Sequence, residues 1–357
     1  MKVLVVAMSA RMLAQMAVGD GYEVIALDCF GDVDLRAVAA GATAPTNDAL
    51  AKLADNVEAD AVVYGGGFEN RPDLVARISA GRELLGTEPE LLGAVRDPWA
   101  VASAAHAAGA RAPDTRSPAA LPAGGMWLRK PRLGGGGRGV RGWRGGVLRP
   151  GEVFQRRITG LSCSAVAIGN GLGAALLGLT EQLHRPRRFG WIGNVIPPRL
   201  PEGELAELDG QLRAVCQEVV VRFGVRGAFG VDAIWDGRHA WILEVNPRPS
   251  ASLELFGPGT FEAHVQGARG VGLSAAGPAP AASAAVKLVL FADRAVRAPD
   301  PEWWPRGLVR DVPHAGEEIH AGAPVCTLIS STATVPEMIE SRARLLAALP
   351  EAVTVGG

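Results

Sequence analysis

Residues 3–7 form a continuous apolar, largely β-branched run, the pattern of a parallel strand buried on both faces. Helical spacing follows over 10–18, and Gly19-Asp20-Gly21 turns the chain into a second apolar run at 23–28. More helical spacing at 48–56 precedes a third strand at 61–64, which breaks at Gly65-Gly66-Gly67. Strand–helix–strand units of this length predict a doubly wound α/β domain. An Ala-rich helix at 99–108 opens a second region, where Pro113, Pro118 and Pro122 space the chain toward Trp127-Leu128-Arg129-Lys130-Pro131. Residues 133–146 are dense in Gly and Arg, a strand is predicted at 152–157, and strands and turns alternate to about residue 198. An amphipathic helix is predicted over 204–223 and a hairpin between 231 and 245. Residues 271–284 have linker composition. Beyond them lie an apolar run at 286–291, Gly316 and Gly322, and a last helix at 336–349.

The chain has 357 residues, enough for two or three domains. The pattern divides it at 1–95, 96–150, 151–270 and 285–350, an α/β chain with α+β character after the first unit. Thirty-six Lys and Arg against 37 Asp and Glu leave a formal charge of −1, which predicts no nucleic-acid partner. No uninterrupted apolar stretch reaches the ~18 residues of a membrane span, and the opening run is too short for a secretory leader, so a cytoplasmic protein is expected. Four scattered cysteines form no C-x-x-C pair, which argues against a zinc knuckle, an iron–sulfur cluster or a disulfide scaffold. Only four residues are Lys, so each one is informative.

The first strand is followed by Met8-Ser9-Ala10-Arg11-Met12, with no G-x-G-x-x-G. Asp28 ends the second strand where a ribose-binding acid could sit, but without the glycines it says little for a dinucleotide site. Chemistry is better signalled at Lys130-Pro131-Arg132-Leu133-Gly134-Gly135-Gly136-Gly137-Arg138-Gly139. Glycines let successive N–H groups face one point, an anion site without side-chain obstruction, and the preceding Lys adds a compact positive charge. The run is no P-loop, and a mobile surface loop is the alternative. The second signal is the predicted hairpin. Period two puts Glu244 and Asn246 on one face, and pairing of Trp235 with Trp241 would set Asp232 opposite Glu244. Two carboxylates and an amide suit Mg²⁺ shared with substrate phosphates, against the alternative of a solvated polar strand face.

A Lys–glycine loop followed about a hundred residues later by D…E-x-N resembles the ATP-grasp superfamily. Val153-Phe154-Gln155-Arg156-Arg157-Ile158-Thr159-Gly160 is similar to its adenine-reading hinge, and the resemblance spans roughly residues 96–260. The first unit resembles the α/β domain that precedes ATP-grasp modules. Gly66-Gly67-Phe68-Glu69-Asn70-Arg71-Pro72, Gly193-Asn194 before Pro197-Pro198, and Asp311-Val312-Pro313-His314 in the tail resemble a carboligase-like subgroup, which includes the tyramine–glutamate ligase of methanofuran biosynthesis. The Gly316…Gly322 tail resembles a small β sandwich of the biotinyl type, without a lysine to modify.

The resemblance implies a two-lobed ATP-binding module. Lys130 would contact the phosphates of ATP, Gly134, Gly135, Gly136, Gly137 and Gly139 would close over them, and Gln155, Arg157 and Ile158 would line the adenine site. Asp232, Glu244 and Asn246 would hold Mg²⁺ or Mn²⁺, and Arg248 would steady the transferred phosphoryl group. Ser162 stands where the family commonly has a ribose-binding acid. The family's earlier nucleotide lysine has no counterpart, for which Arg96 or Arg129 is a substitute. Glu69, Asn70 and Asn194, with Gln182 and Trp191, are expected at the acceptor substrate. The implied activity is ATP-dependent ligation of a small carboxylate to an amine, as in C1-carrier cofactor synthesis, by a chain that could form a homo-oligomer. Carboxylation through carboxyphosphate and non-catalytic nucleotide binding are the rivals.

Overall fold

The apolar run at the N-terminus, Lys2–Val6 (β1), lies at the centre of a five-stranded parallel sheet. Glu23–Asp28 (β2) and Ala40–Thr43 (β3) stand on one side of it, Ala61–Tyr64 (β4) and Glu83–Leu84 (β5) on the other. Alternation sends Val3 and Val5 into an apolar cluster with Arg11–Gly19 (α1), while Leu4 and Val6 pack with Asn47–Ala54 (α3) and Pro72–Ser79 (α4). Val33–Arg36 (α2) is one short turn between β2 and β3. The structure, a computed structural model, describes residues 1–120, 124–185, 189–273 and 284–352, and the predicted linker falls largely outside them, at 274–283. Its architecture is mixed α/β, as the periodicity indicates.

Two helices, Pro89–Val95 (α5) and Pro98–Ala107 (α6), lead to a small lobe. It is a four-stranded sheet of Thr115–Arg116 (β6), Trp127–Pro131 (β7), Arg141–Gly142 (β8) and Glu152–Arg156 (β9), in the order β6-β9-β7-β8. The glycine-rich segment is the connection between β7 and β8. The large sheet begins with Leu161–Asn170 (β10), Ala174–His184 (β11) and Trp191–Ile196 (β12). It continues, after Glu202–Phe223 (α7), with Arg226–Trp235 (β13) and Ala240–Asn246 (β14). Leu208, Leu212, Val215, Val219 and Phe223 recur at helical spacing on α7 and are buried against this sheet. Thr260–Ala268 (α8) packs on its opposite side.

The tail differs from expectation. Ala285–Phe291 (β15) pairs antiparallel with β12, and Pro324–Ser330 (β19) and Val309–Arg310 (β17) extend the same sheet. Val296–Arg297 (β16) and Glu318–Ile319 (β18) form a separate ribbon, and Val335–Ala348 (α9) covers the end. The tail is therefore built onto the large sheet, not folded as a sandwich of its own, because β12 would otherwise leave an apolar edge unpaired.

A buried ionic cluster ties the first unit to the large sheet and tail. Arg11 donates to Asp311 at 2.9 Å and to Glu254 at 2.5 Å, and Lys287 pairs with Glu254 while donating to the Ala251 carbonyl at 2.6 Å. Asp32 lies beside it, buried, with Oδ2 lacking a hydrogen-bond partner among the described residues. Burial, with Asp311, Asp28 and Asp34 nearby, pushes its carboxyl up to about 8. Below about pH 4 the unfolded chain holds this proton too and folding bears no penalty. As pH rises toward 8 the unfolded state gains by ionising while the folded state does not, so stability falls across that window. Asp32→Asn is expected to match the parent near pH 4 and exceed it by ~2 kcal/mol or more at pH 8. Denaturation curves at both pH values check this, and a pH-independent difference would refute it.

Candidate functional site

The hairpin β13–β14 sets the geometry. Trp235 pairs with Ala240 and Ile234 with Trp241, one residue out from the expected Trp235–Trp241 pairing. A β-bulge then leaves Leu243 without a partner, and Asp232 falls opposite Glu244 after all. Ala240, Ile242 and Val245 are buried against α6 and α7, whereas Leu243, Glu244 and Asn246 line a cleft.

That cleft has a volume of about 580 Å³ and lies between the two lobes. Lys130 on β7 points into it, its Nζ 3.8 Å from a Glu244 oxygen and 3.5 Å from Oε1 of Gln155. Gly134 to Gly137 form its roof, which Trp191 fastens by donating its backbone N–H to the Gly136 carbonyl at 3.1 Å. Gln155, Arg157, Ile158 and Ser162 line the end formed by the β9–β10 connection. Ser162 donates to Gln182 Oε1 at 2.9 Å, and Gln182 Nε2 donates to Asp232 Oδ1 at the same distance. Asn246 Nδ2 donates to Asp232 Oδ2 at 3.1 Å. Burial and then Glu244 push the Asp232 carboxyl above its usual range.

Two carboxylates face to face suit a hard divalent cation held jointly with phosphates, whereas the Asn246 oxygen is turned to Arg96 Nη1, 3.0 Å away, and its N–H side faces Asp232. The fit rests on the donor set, two carboxylates opposite one another on paired strands, where a cation would offset the burial and the Glu244 charge that raise Asp232. No cluster of three His, Cys, Asp or Glu suited to a metal occurs among the described residues, so phosphate oxygens must complete the set.

Several expected residues are placed elsewhere. Gly139 does not line the cleft but packs on Pro131. Glu69 and Asn70 also stay out of it. Glu69 holds Arg248, with Nε 2.8 Å from Oε1, and Asn70 accepts from Arg96 at 3.0 Å. Burial alone would raise the Glu69 carboxyl, but Arg248 and Arg96 hold it below its usual range. Neither arginine suggested for the missing lysine takes that place. Arg96 is spent on Asn70, Asn246, Val245 and Gly134, and Arg129 lies opposite Phe154 while its neighbours Leu128 and Lys130 point into the cleft. Arg248 and Asn194 do line it, the latter accepting from Trp191 Nε1 at 3.0 Å. His184 is half-buried on the same wall, and burial pushes its imidazole down. Ser164, Ser250 and Ser252 were not anticipated. Ser164 had a signal, since it stands two residues from Ser162 and shares its face.

Residues 95–252 match the family model of the ATP-grasp domain. This segment is an ATP-grasp domain. Its lobes are those described above, the small one from β6 to β9 and the large one beginning at β10. No protein of curated function matches the chain by sequence. Among solved structures, a variant of Rhizobium etli pyruvate carboxylase aligns with 98% of this chain at a TM-score of 0.74 and 17% identity. This chain spans 37% of that one. Biotin carboxylase of Campylobacter jejuni, in a β,γ-ATP complex, gives 0.70 and 16% over 97% of this chain and 91% of its own. N5-carboxyaminoimidazole synthetase of Staphylococcus aureus with ADP gives 0.68 and 17% over 97% and 96%. At these identities the likeness shows a shared fold, which extends beyond the ATP-grasp domain into the first unit and the tail.

Within the glycine roof of the ATP-grasp domain, one position is constrained and one is open. Gly137 has φ +69°, and a Cβ there would lie 1.9 Å from the Phe189 carbonyl oxygen, whereas a Cβ on Gly135 meets nothing within 4 Å among the described residues. The left-handed backbone alone costs an alanine roughly 1–2 kcal/mol, before the clash. Gly137→Ala is expected to raise the KM for ATP about tenfold or more, and Gly135→Ala to leave it nearly unchanged. Steady-state ADP release measures both, and equal effects would contradict the docked roof.

Proposed function

We propose that the protein is an ATP-dependent carboxylate–amine ligase that forms an amide through an acyl phosphate. The observation that carries the reading is the convergence of Lys130, the glycine roof and the Asp232–Glu244–Asn246 set in one cleft. A free carboxylate is a poor acyl donor at neutral pH, and phosphorylation supplies the leaving group. In this reading adenine lies against Gln155, Arg157 and Ile158, the ribose near Ser162, and the triphosphate beneath Gly134–Gly137. Lys130 offsets phosphate charge from the floor of the cleft. Asp232 and Glu244 would hold Mg²⁺ or Mn²⁺, joined by Asn246 only once its oxygen is released from Arg96, and the metal would supply charge neutralisation at the non-bridging oxygens. Arg248, fixed from behind by Glu69, presents its remaining N–H groups to the transferred phosphoryl group and then to the acyl phosphate. The wall of Asn194, Trp191, Ser250 and Ser252 receives the acceptors, and the docked roof limits hydrolysis of the intermediate.

The subgroup resemblance supports an amino acid such as glutamate, joined to an amine in synthesis of a C1-carrier cofactor of the methanofuran or tetrahydromethanopterin type, in the cytoplasm. A second reading, carboxylation through carboxyphosphate, is favoured by the fold shared with the biotin carboxylases and the N5-carboxyaminoimidazole synthetases. ADP formation across a panel of amino acids, amines and bicarbonate separates the two. Ligation requires ADP release that depends on both a carboxylate and an amine, bicarbonate dependence selects the second reading, and AMP with pyrophosphate rejects both. Glu244→Gln is expected to lower turnover by about two orders of magnitude or more, a loss of roughly 3 kcal/mol in transition-state stabilisation. Circular dichroism should show the fold retained, and undiminished turnover would dismiss this metal site.

A further inference from the structure

The near-zero formal charge conceals a strong segregation. Residues 115–160 hold ten Lys and Arg against one acid, Glu152, while residues 1–95 hold seven Lys and Arg against fourteen Asp and Glu. The small-lobe sheet concentrates this positive charge on its outer face. Arg116 lies opposite Phe154, Phe154 opposite Arg129, and Arg129 opposite Arg141, a single rung across all four strands. Residues directly opposite share a face. Because Leu128, Lys130 and Gln155 point into the cleft, this rung points away from it. Arg144 and Arg149 follow in the next connection, both exposed.

Arg116 has a carboxylate partner, Asp114, at 2.7 Å. Among the described residues, Arg129, Arg141, Arg144 and Arg149 have no ion-pair partner. Like charges directly opposite one another destabilise a sheet, so the Arg129–Arg141 pair is a liability for the fold. The core beneath does not require it, since Phe154 is fully buried and closed by Trp143, edge-on at 5.1 Å. We propose that this outer face is a docking surface for a carboxylate-rich protein or peptide, whose anions offset the repulsion that the isolated chain leaves uncompensated.

One feature favours carboxylates over single-stranded nucleic acid. Single-stranded nucleic acid is held by bases stacked on open aromatic faces. Here Trp127 is buried with the Arg116 guanidinium 4.8 Å from its ring centroid, Phe154 is inaccessible, and Trp143 is half-buried, edge-on to Phe154 and tied by its Nε1–H to the Gly146 carbonyl. Guanidinium groups pair carboxylates, as they do phosphates, through two parallel hydrogen bonds, so the lack of an open stacking platform, and not the arginines themselves, makes the distinction. The positive surface continues through exposed Arg138, Arg156 and Arg157 to the mouth of the cleft, so a docked partner would lie next to the site. This surface does not depend on the reaction proposed above.

The test uses the full chain, a fluorescein-labelled oligoglutamate of about ten residues and a single-stranded oligonucleotide of equal charge, at about 0.15 M salt. Fluorescence anisotropy should show the oligoglutamate binding, and Arg129→Gln/Arg141→Gln/Arg144→Gln should weaken it about tenfold or more. ATP affinity should be unchanged and the melting temperature equal or higher, because the substitutions remove repulsion. Absent binding, binding undiminished in the triple variant, or tighter binding of the oligonucleotide would overturn the proposal. A lowered melting temperature would also overturn it, by making the arginines structural.

Discussion

Strand β14 must satisfy two faces at once. It buries Ala240, Ile242 and Val245 against α6 and α7, and it must present Glu244 and Asn246 to the cleft. Strict alternation would put residues 240, 242, 244 and 246 on one face, sending the Glu244 carboxylate into apolar packing at a cost of several kcal/mol. The bulge at Leu243 changes the parity of the strand between its core half and its site half. Both demands are then met, and the pairing of Asp232 with Glu244 follows from it. A continuous regular hairpin could have the core or the carboxylate pair, but not both.

With that strand fixed, cations organise what surrounds it. Arg96 donates to Asn70 of the first unit, to Val245 and Asn246 of β14, and to the carbonyl of Gly134 at the root of the roof. A guanidinium has five donors in a rigid fork, and this placement uses its reach in three directions, which an ammonium could not reproduce. Glu69 does for Arg248 what Asn70 does for Arg96. The first unit thus shapes the site by holding its arginines from behind, with its own side chains outside the cleft.

Much of this was legible in the chain. Strands β1, β2 and β4, helix α7 and the hairpin follow from apolar periodicity, because each buries a continuous stripe or face. Strand β3 did not, since Ala40–Thr43 is small and exposed along its length and is held by its parallel pairing with β2. The oxygen-bearing side chains at 232, 244 and 246 were readable from period two, yet their convergence rests on a bulge that no local signal announced. The register inferred from Trp235 and Trp241 reaches the same pair only because the extra residue at 243 offsets the one-residue difference at the turn. Arg96 looked like a nucleotide contact because sequence shows a charge but not its partners, and its partners lie 26, 38 and about 150 residues away.

The serine at 162 gains a physical rationale from the same network. A chain of hydrogen bonds runs from Ser162 through Gln182, Asp232, Asn246 and Arg96 to Gly134, linking the β9–β10 end of the cleft to its roof. Its polarity is fixed at both ends. Arg96 can only donate, so Asn246 turns its carbonyl to Arg96 and its N–H to Asp232. Asp232, ionised, can only accept, so Gln182 must also give it an N–H, which leaves the Gln182 carbonyl facing residue 162. A donor is therefore required there, and the Ser162 hydroxyl supplies it. An ionised acid would instead meet the amide oxygen, and turning Gln182 to suit it would bring that oxygen against Asp232, already strained by Glu244. The departure from the acid common in the family is consistent with how this chain aligns its carboxylate pair.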